Sequence, residues 1–160
     1  MTCILLPTDD PYYNLAAEEF FLKSSVYEFL LLYVNKPSVI VGRHQNLFAE
    51  INFPFVRGND ILLCRRITGG GAVYHDQGNI NFAFIGNGEQ GSLANQKKYT
   101  AMMVKALQHF GLNAEVGSRN EILLDGLKIS GCAEHVHKNR ILHHGTLLFS
   151  ADLDCLNDAL

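Results

Sequence analysis

The chain has 160 residues, 48% of them hydrophobic, with ten Phe and six Tyr, which is enough apolar surface for a sizeable core in one domain. A formal net charge of -3 without a long basic run argues against a protein held to a duplex through its phosphates. No apolar stretch approaches the length of a membrane span, and Met1 to Leu6 is too short for a signal peptide, so the cytoplasm is the expected compartment.

Residues 3–6 read as a first strand, and Asp10-Pro11 then supplies an N-cap followed by proline at the first helical position. Tyr12, Leu15, Ala16, Glu19, Phe20 and Leu22 carry a mostly helical period, and the pair Glu18-Glu19 reads most simply as a solvated face. Two apolar runs, 29–34 and 38–41, are split by Asn35-Lys36-Pro37, which predicts an antiparallel hairpin. The second run ends in a polar cluster, Gly42-Arg43-His44-Gln45-Asn46, a strand end of the kind where binding residues sit. Further strands are expected at 61–64 and at 80–85, the latter alternating as if one face were buried. Tyr99, Met102, Met103, Ala106, Leu107 and Phe110 recur at helical spacing up to Gly111. Short strands at 115–116 and 122–124 precede the turn signal Asp125-Gly126, and 127–136 with 140–150 read as a second hairpin closing near Lys138-Asn139. No repeat or linker divides residues 1–160, and 151–160 reads as the opening turns of a helix, so the domain is expected to be incomplete at its C-terminus.

The residues RRITGGGAVYHDQGN, 65–79, place three consecutive glycines between two strand-like stretches. Each glycine costs roughly 0.5–1 kcal/mol relative to alanine, and what it offers in return is positive φ and close approach of another group to the backbone. With Arg65 and Arg66 before it and His75, Asp76 and Asn79 after it, the loop looks built for main-chain N–H groups and two guanidinium forks to meet an anion; the plainer reading is a tight turn with solvated arginines. It is neither a P-loop nor a G-x-G-x-x-G fingerprint. Lys128, in LDGLKISG, sits between apolar Leu127 and Ile129, which points to the odd face of a buried strand beside Gly131, against the commoner reading of a solvated lysine. His135, His137, His143 and His144 make a weak metal signature, and the widely spaced Cys3, Cys64, Cys132 and Cys155 indicate reduced thiols. Cys132 reads as a small core residue or as a nucleophile paired with one of those histidines.

Taken together and in order, NLAAEEFF, IVGRHQN, RRITGGGAVYHDQGN, DGLKISGCA and HHGTLLFSADL resemble the lipoate-protein ligase A and lipoyltransferase family. The resemblance implies an α+β fold: a mixed, largely antiparallel β-sheet flanked by helices, as in the biotin/lipoate ligase (class II synthetase-like) superfamily. It implies activation of lipoate with ATP and Mg²⁺ to lipoyl-AMP, followed by transfer to a lysine of lipoyl domains of 2-oxoacid dehydrogenase complexes or of the glycine cleavage H protein. It casts Lys128 as the catalytic cation between carboxylate and phosphate. It also assigns lipoyl or adenylate contacts to Arg66, Thr68, Gly69, Gly70, Gly71, Val73, His75, Asn79, Gly131, His144 and Gly145, and nucleotide contacts to Tyr74, Asn120 and Lys128. Glu121 stands where family members commonly carry an aspartate beside the metal, which leaves its contact with a metal open. The same motifs are similar to lipoyltransferases, so an ATP-independent lipoyl or octanoyl transferase and a non-catalytic lipoate or acyl-adenylate binder stay open as alternatives. A preference between lipoate and octanoate is not legible in these residues.

Overall fold

The computed structural model describes residues 1–88 and 96–160. In chain order the elements are β1 (Thr2–Leu5), α1 (Pro11–Ser24), β2 (Phe29–Val34), β3 (Ser38–Val41), α2 (Leu47–Glu50), α3 (Phe53–Gly58), β4 (Leu62–Arg65), β5 (Val73–His75), β6 (Asn79–Asn87), α4 (Gln96–His109), β7 (Ala114–Val116), β8 (Ile122–Leu124), β9 (Leu127–Ser130), β10 (Cys132–His137), β11 (Arg140–Leu148) and α5 (Leu153–Ala159). They form a five-stranded sheet in the order β1-β2-β6-β11-β10 and two three-stranded sheets, β4-β3-β5 and β7-β8-β9. Only β1 with β2 and β3 with β4 run parallel among the described pairs, so the fold is the expected mixed, largely antiparallel α+β arrangement.

The five-stranded sheet is the centre of the molecule. Side chains alternate across β6: Phe82 and Phe84 face a cluster with Tyr99, Met103 and Val104 of α4 and Ile122 of β8, whereas Ala83 and Ile85 face Leu22 of α1, Leu31 and Leu142. β6 is therefore buried on both faces, not on one as its alternation led us to expect; it sits between β2 and β11, and helices cover both sides. A third cluster, with Val39, Val41, Ile51, Val56, Ile61, Tyr74 and Ala159, joins the β4-β3-β5 sheet to α3 and α5.

Asp10 caps α1 as its sequence predicts, accepting from the N–H groups of Tyr12 (2.8 Å) and Tyr13 (3.3 Å). Asn14, Glu18 and Leu22 recur every fourth residue along the face that packs inward. The solvated-face reading of the glutamates holds for Glu19, which is partly exposed and paired with Lys23, and fails for Glu18, which is 1% exposed.

The predicted hairpin over 29–41 does not form. β2 is paired on both edges, by β1 and β6, and β3 is likewise paired by β4 and β5, so neither has an edge left for the other. Asn35-Lys36-Pro37 instead forms a corner between two sheets, held where the Lys36 N–H donates to the Asp9 carbonyl (2.9 Å). At Asp125-Gly126 both residues take positive φ, 50° and 80°, and the β8–β9 hairpin forms as expected. The later hairpin is shorter than predicted: β10 pairs with β11, but the chain leaves the sheet at Gly131, and β9 belongs to the small sheet. No described helix is long and apolar enough to cross a membrane.

Candidate functional site

A cavity of about 300 Å³ opens between the glycine loop that joins β4 to β5 and the ends of β9, β10 and β11. Its wall takes Leu15 from α1, Tyr33 from β2, Ile40 from β3 and Asn81 from β6, with Arg66, Gly70, Gly71, Ala72, Val73 and His75 from the loop and β5. Lys128, Gly131, Cys132, Ala133, His144, Gly145 and Thr146 close the other side. Segments as distant in sequence as Leu15 and Thr146 thus meet around one space. It is lined mostly by apolar groups with a few polar side chains among them, the general character of a small-molecule site.

The loop's shape is set by backbone geometry. Gly70 lies at φ +93°, a conformation that side chains disfavour, and a Cβ on Gly42 would sit 2.1 Å from the Gly70 carbonyl oxygen, so the two glycines allow a contact that any other residue would block. This explains why the polar cluster after β3 begins with glycine.

The two arginines hold the loop together and do not project as open forks. Arg66 donates from Nε to Thr68 Oγ1 (2.9 Å), from Nη1 to the Ile40 carbonyl (3.0 Å), and from Nη2 to the carbonyls of Gly69 and Gly71 (2.7 Å each). Four of its five N–H donors are committed, leaving at most one for a ligand. Burial lowers the Arg66 pKa, and the nearby Glu18 carboxylate works in the opposite direction. Arg65 donates from Nη1 to the carbonyls of Gly42 (2.8 Å) and Gln45 (2.9 Å). The expectation of two forks facing an anion is therefore replaced by two internal clamps, because a glycine-rich turn leaves carbonyls that need donors.

Behind Arg66 runs a buried chain of hydrogen bonds. Tyr33 Oη donates to Glu18 Oε1 (2.8 Å), His144 Nδ1 meets Glu18 Oε2 (2.8 Å), and His144 Nε2 meets Thr68 Oγ1 (2.8 Å). Since the guanidinium can only donate to Thr68 and the carboxylate can only accept, the consistent direction is Arg66 to Thr68 to His144 to Glu18, with His144 in the Nδ1–H tautomer. Burial and the Glu18 charge push the Tyr33 phenol well above its ordinary range, so its proton stays in place as the donor. Glu18, Tyr33 and Asn35 were missed as site residues. The available signal was the four-residue spacing of Asn14 and Glu18 on the buried face of α1.

His75 is held by a second chain. Asn35 Nδ2 donates to His75 Nδ1 (3.0 Å), and Asn14 Nδ2 donates to Asn35 Oδ1 (2.8 Å). Burial, then electrostatic coupling to His144 and to the Arg66 guanidinium, pull the His75 pKa down to about 3. Its neutral form is thus favoured by folding, whereas the unfolded chain takes up a proton below about 6.5. Stability is expected to fall as pH drops from about 6.5 toward about 3, with one more proton bound by the unfolded state. Urea midpoints measured over that range should decline in the wild type and less steeply in His75→Phe; parallel profiles would refute the assignment.

Lys128 lines the cavity alongside Gly70 and Gly71, but it is exposed and not buried as its apolar neighbours implied. Leu127 is 73% exposed, because β9 belongs to a small sheet that carries only part of its surface inward. The ammonium stands at the mouth. Val73 and His75 face the cavity, whereas Tyr74 between them points into the cluster with Val39 and Ala159, as strand alternation requires. Thr68 and Gly69 lie behind the wall as partners of Arg66, and Asn79 Nδ2 donates to Asn81 Oδ1 (3.0 Å), which places Asn79 one residue back from the surface of the cavity. Asn120, at φ +65°, and Glu121 belong to the turn before β8, where Glu121 Oε2 accepts from the Arg119 N–H (2.7 Å); neither lines the cavity. Among the described residues no cluster of three or more His, Cys, Asp or Glu side chains could hold a metal ion.

His143 turns toward the opposite face of the sheet from His144. It is stacked on Tyr99 at 5.5 Å, and its Nδ1 is 2.9 Å from Glu134 Oε1. Burial opposes its charge, but hydrogen bonds to Cys132 and Glu134 outweigh that and raise its pKa.

The sequence profile of the lipoyl protein ligase A/B catalytic domain matches residues 10–160. The chain belongs to that family. Among curated members of the lipoyl protein ligase family, the lipoate-protein ligase LplJ of Bacillus subtilis is 47% identical over 154 residues, 95% of this chain and 46% of its own length. The crystal structure of Plasmodium falciparum LipL1 in complex with lipoate superposes with a TM-score of 0.91 at 31% identity, covering 99% of this chain and 51% of that one. A lipoate-protein ligase A bound with ATP matches at a TM-score of 0.89 and 30% identity over 99% of this chain and 70% of the other. A bipartite lipoate protein ligase from Thermoplasma acidophilum, described with its E2 lipoyl domain, matches at a TM-score of 0.89 and 32% identity over 99% and 65%. The chain spans about half the length of the curated relatives it matches.

Proposed function

We propose that this chain is the acyl-binding and activating part of an ATP-dependent lipoate-protein ligase. The observation that carries the reading is that exposed Lys128 lines the same largely apolar cavity as the side-chain-free backbone of Gly70 and Gly71. A medium-chain acid fits that arrangement with its tail inside and its carboxylate at the lysine. Adenylation brings this carboxylate against the α-phosphate of ATP, two anions that repel until a cation lies between them, and Lys128 supplies the charge where it develops. The carboxylate oxygen attacks phosphorus, pyrophosphate leaves, and lipoyl-AMP remains. A carrier lysine then attacks the acyl carbon, an amide forms, and AMP departs.

Related ligase structures with bound lipoate, with bound ATP and with an E2 lipoyl domain support these as the partners, and the glycine cleavage H protein is proposed as a further carrier of the same chemistry. Mg²⁺ would arrive on the triphosphate, keeping most of its waters, since no described cluster offers it a protein cage. Gly131, His144 and Gly145 complete the wall beside the reacting end, and Arg66 keeps the glycine backbone in place beneath it. The test is lipoate-dependent pyrophosphate release by the full-length protein, followed by mass analysis of an isolated lipoyl domain. Lipoylation that needs ATP supports the ligase, and its absence with lipoate, ATP and Mg²⁺ all present sinks it.

One observation favours a second reading. Cys132 is in the cavity wall, and its thiol is among the groups that raise the pKa of His143, itself paired with Glu134, so a thiol, a base and a carboxylate lie near one another. In an ATP-independent transferase that thiol would hold the acyl group as a thioester. Cys132→Ala is expected to retain full transfer activity under the ligase reading, and complete loss would favour the thioester.

A further inference from the structure

The floor of the cavity is a row of residues that crosses the central sheet. Tyr33 of β2 stands opposite Asn81 of β6, and Asn81 stands opposite Thr146 of β11. The Thr146 N–H in turn donates to the carbonyl of Gly131 (3.1 Å), the residue that follows β9 and its Lys128. Gly131, Thr146, Asn81 and Tyr33 all line the cavity. Neighbouring strands lie about 4.8 Å apart, so the row from Gly131 to Tyr33 measures about 14 Å.

α1 crosses the Tyr33 end of this row. Asn14 Nδ2 donates to the Val34 carbonyl (3.3 Å), and Glu18 Oε1 accepts from Tyr33 Oη (2.8 Å), which fastens the helix to β2 on both sides of Leu15. Leu15 is half-buried, lines the cavity, and stands at the end of the row away from Gly131. An acid whose carboxylate meets Lys128 and whose tail follows the floor therefore ends against Leu15. Behind it, between α1 and β4, is a second hollow of about 210 Å³, with Tyr12, Ala16, Cys64 and Ile67 in its wall. Among the described residues, Leu15 and Arg66 alone line both spaces, so these two side chains are the partition. Arg66 is fixed by its four hydrogen bonds. Leu15 has no polar atom to fix it, and its volume alone closes the remaining gap.

We infer that Leu15 is a specificity-determining residue, which sets the longest straight acyl chain the cavity accepts by closing it off from the hollow between α1 and β4. The inference rests on the acyl-acid reading of the cavity. Each methylene of a tail that becomes enclosed raises affinity about fourfold, the equivalent of about 0.8 kcal/mol. A methylene that meets Leu15 gains nothing further, because it has to push a packed side chain off its rotamer or fold the tail back on itself. Alanine at this position removes the obstruction and joins the two spaces.

Calorimetric titration of the straight-chain acids from hexanoate to dodecanoate, without nucleotide, into the full-length wild type, Leu15→Ala and Leu15→Phe tests this. Affinity for the wild type should climb with chain length and then break. The break should move to longer acids in Leu15→Ala and to shorter ones in Leu15→Phe. The first acid past the wild-type break should bind Leu15→Ala at least about fourfold more tightly than it binds the wild type. Adding Ala16→Phe to Leu15→Ala fills the second hollow and should bring the break back toward the wild-type length. The same break in every protein, or a break that stays long in the double variant, overturns the inference while leaving the cavity an acyl site. Binding of no acid by any of them overturns the reading beneath it and the inference with it. If Leu15→Ala does not fold, Leu15→Phe decides: a shorter break supports the inference and an unmoved one overturns it.

Discussion

Lys128→Ala is expected to lower lipoate-dependent pyrophosphate release by about 10²- to 10³-fold, the usual consequence of removing one group that stabilises charge developing in a transition state. The residue is exposed on the short strand β9, so its removal empties no core space and breaks no buried pair. Stability should stay within about 0.5 kcal/mol of the wild type, as for other surface substitutions. The contrast between the two measurements is the point of the experiment. A large loss of rate with an unchanged urea midpoint places the ammonium in the chemistry, and an unchanged rate removes it. Lys128→Arg should restore the charge only in part, because a planar guanidinium fork does not reproduce a compact ammonium at the cavity wall. Placement at the mouth also fits the mechanism better than the buried lysine expected from LDGLKISG: the amine must meet both an acid whose tail is enclosed and a phosphate that comes from outside.

Much of the architecture was legible because it rests on local chemistry. Asp10-Pro11 begins α1, Gly111 at φ +81° ends the turn after α4, and Asp125-Gly126 makes the β8–β9 turn; each follows from conformations that only certain residues adopt readily. What failed was pairing. Asn35-Lys36-Pro37 has the composition of a hairpin turn, but which edge of β2 is free depends on β1 and β6, far away in the chain. The same limit explains β6, whose alternating residues proved to be buried on both sides once α1 and α4 were packed against them.

Within the candidate site, the glycine loop, Lys128, His75 and His144 were readable because they lie in short motifs, and the structure brings all of them to one cavity. The role of Arg66 was not readable. Nothing in RRITGGG says whether a guanidinium turns outward to a ligand or inward to the carbonyls of Gly69 and Gly71, since that depends on Ile40 and Thr68 completing the set of acceptors. Tyr74, Asn120 and Glu121 stand in or near family motifs yet lie away from the cavity wall, so any contact of theirs with a nucleotide has to come from outside that space. Glu18 was hidden for a related reason: a carboxylate in an amphipathic helix is normally solvated, and only the chain of partners on β2 and β11 makes its burial tolerable.

Glu18→Leu follows from that dependence and should be the most destabilising single change at the site. The carboxylate is the acceptor for both Tyr33 Oη and His144 Nδ1, and its side chain is 2% exposed. Leucine fills the space and accepts neither bond, so two buried donors lose their partner and the Arg66 cation loses the nearby opposite charge. Each stranded donor costs about 1–3 kcal/mol, and a broken buried ionic arrangement costs about 3–5 kcal/mol, so a loss of about 3–5 kcal/mol is expected without treating the two figures as additive. Glu18→Gln should lose less, because one amide oxygen can still accept from Tyr33, but its NH₂ faces the His144 Nδ1–H and forces that ring toward the other tautomer. Thr68 must then turn its hydroxyl, and the clamp on the glycine loop loosens while the fold survives. Urea denaturation of both variants, together with lipoate titration of Glu18→Gln, separates the two roles: weakened lipoate binding at nearly native stability identifies Glu18 as a residue that positions the site through His144, and native binding in Glu18→Gln would reduce it to a packing residue.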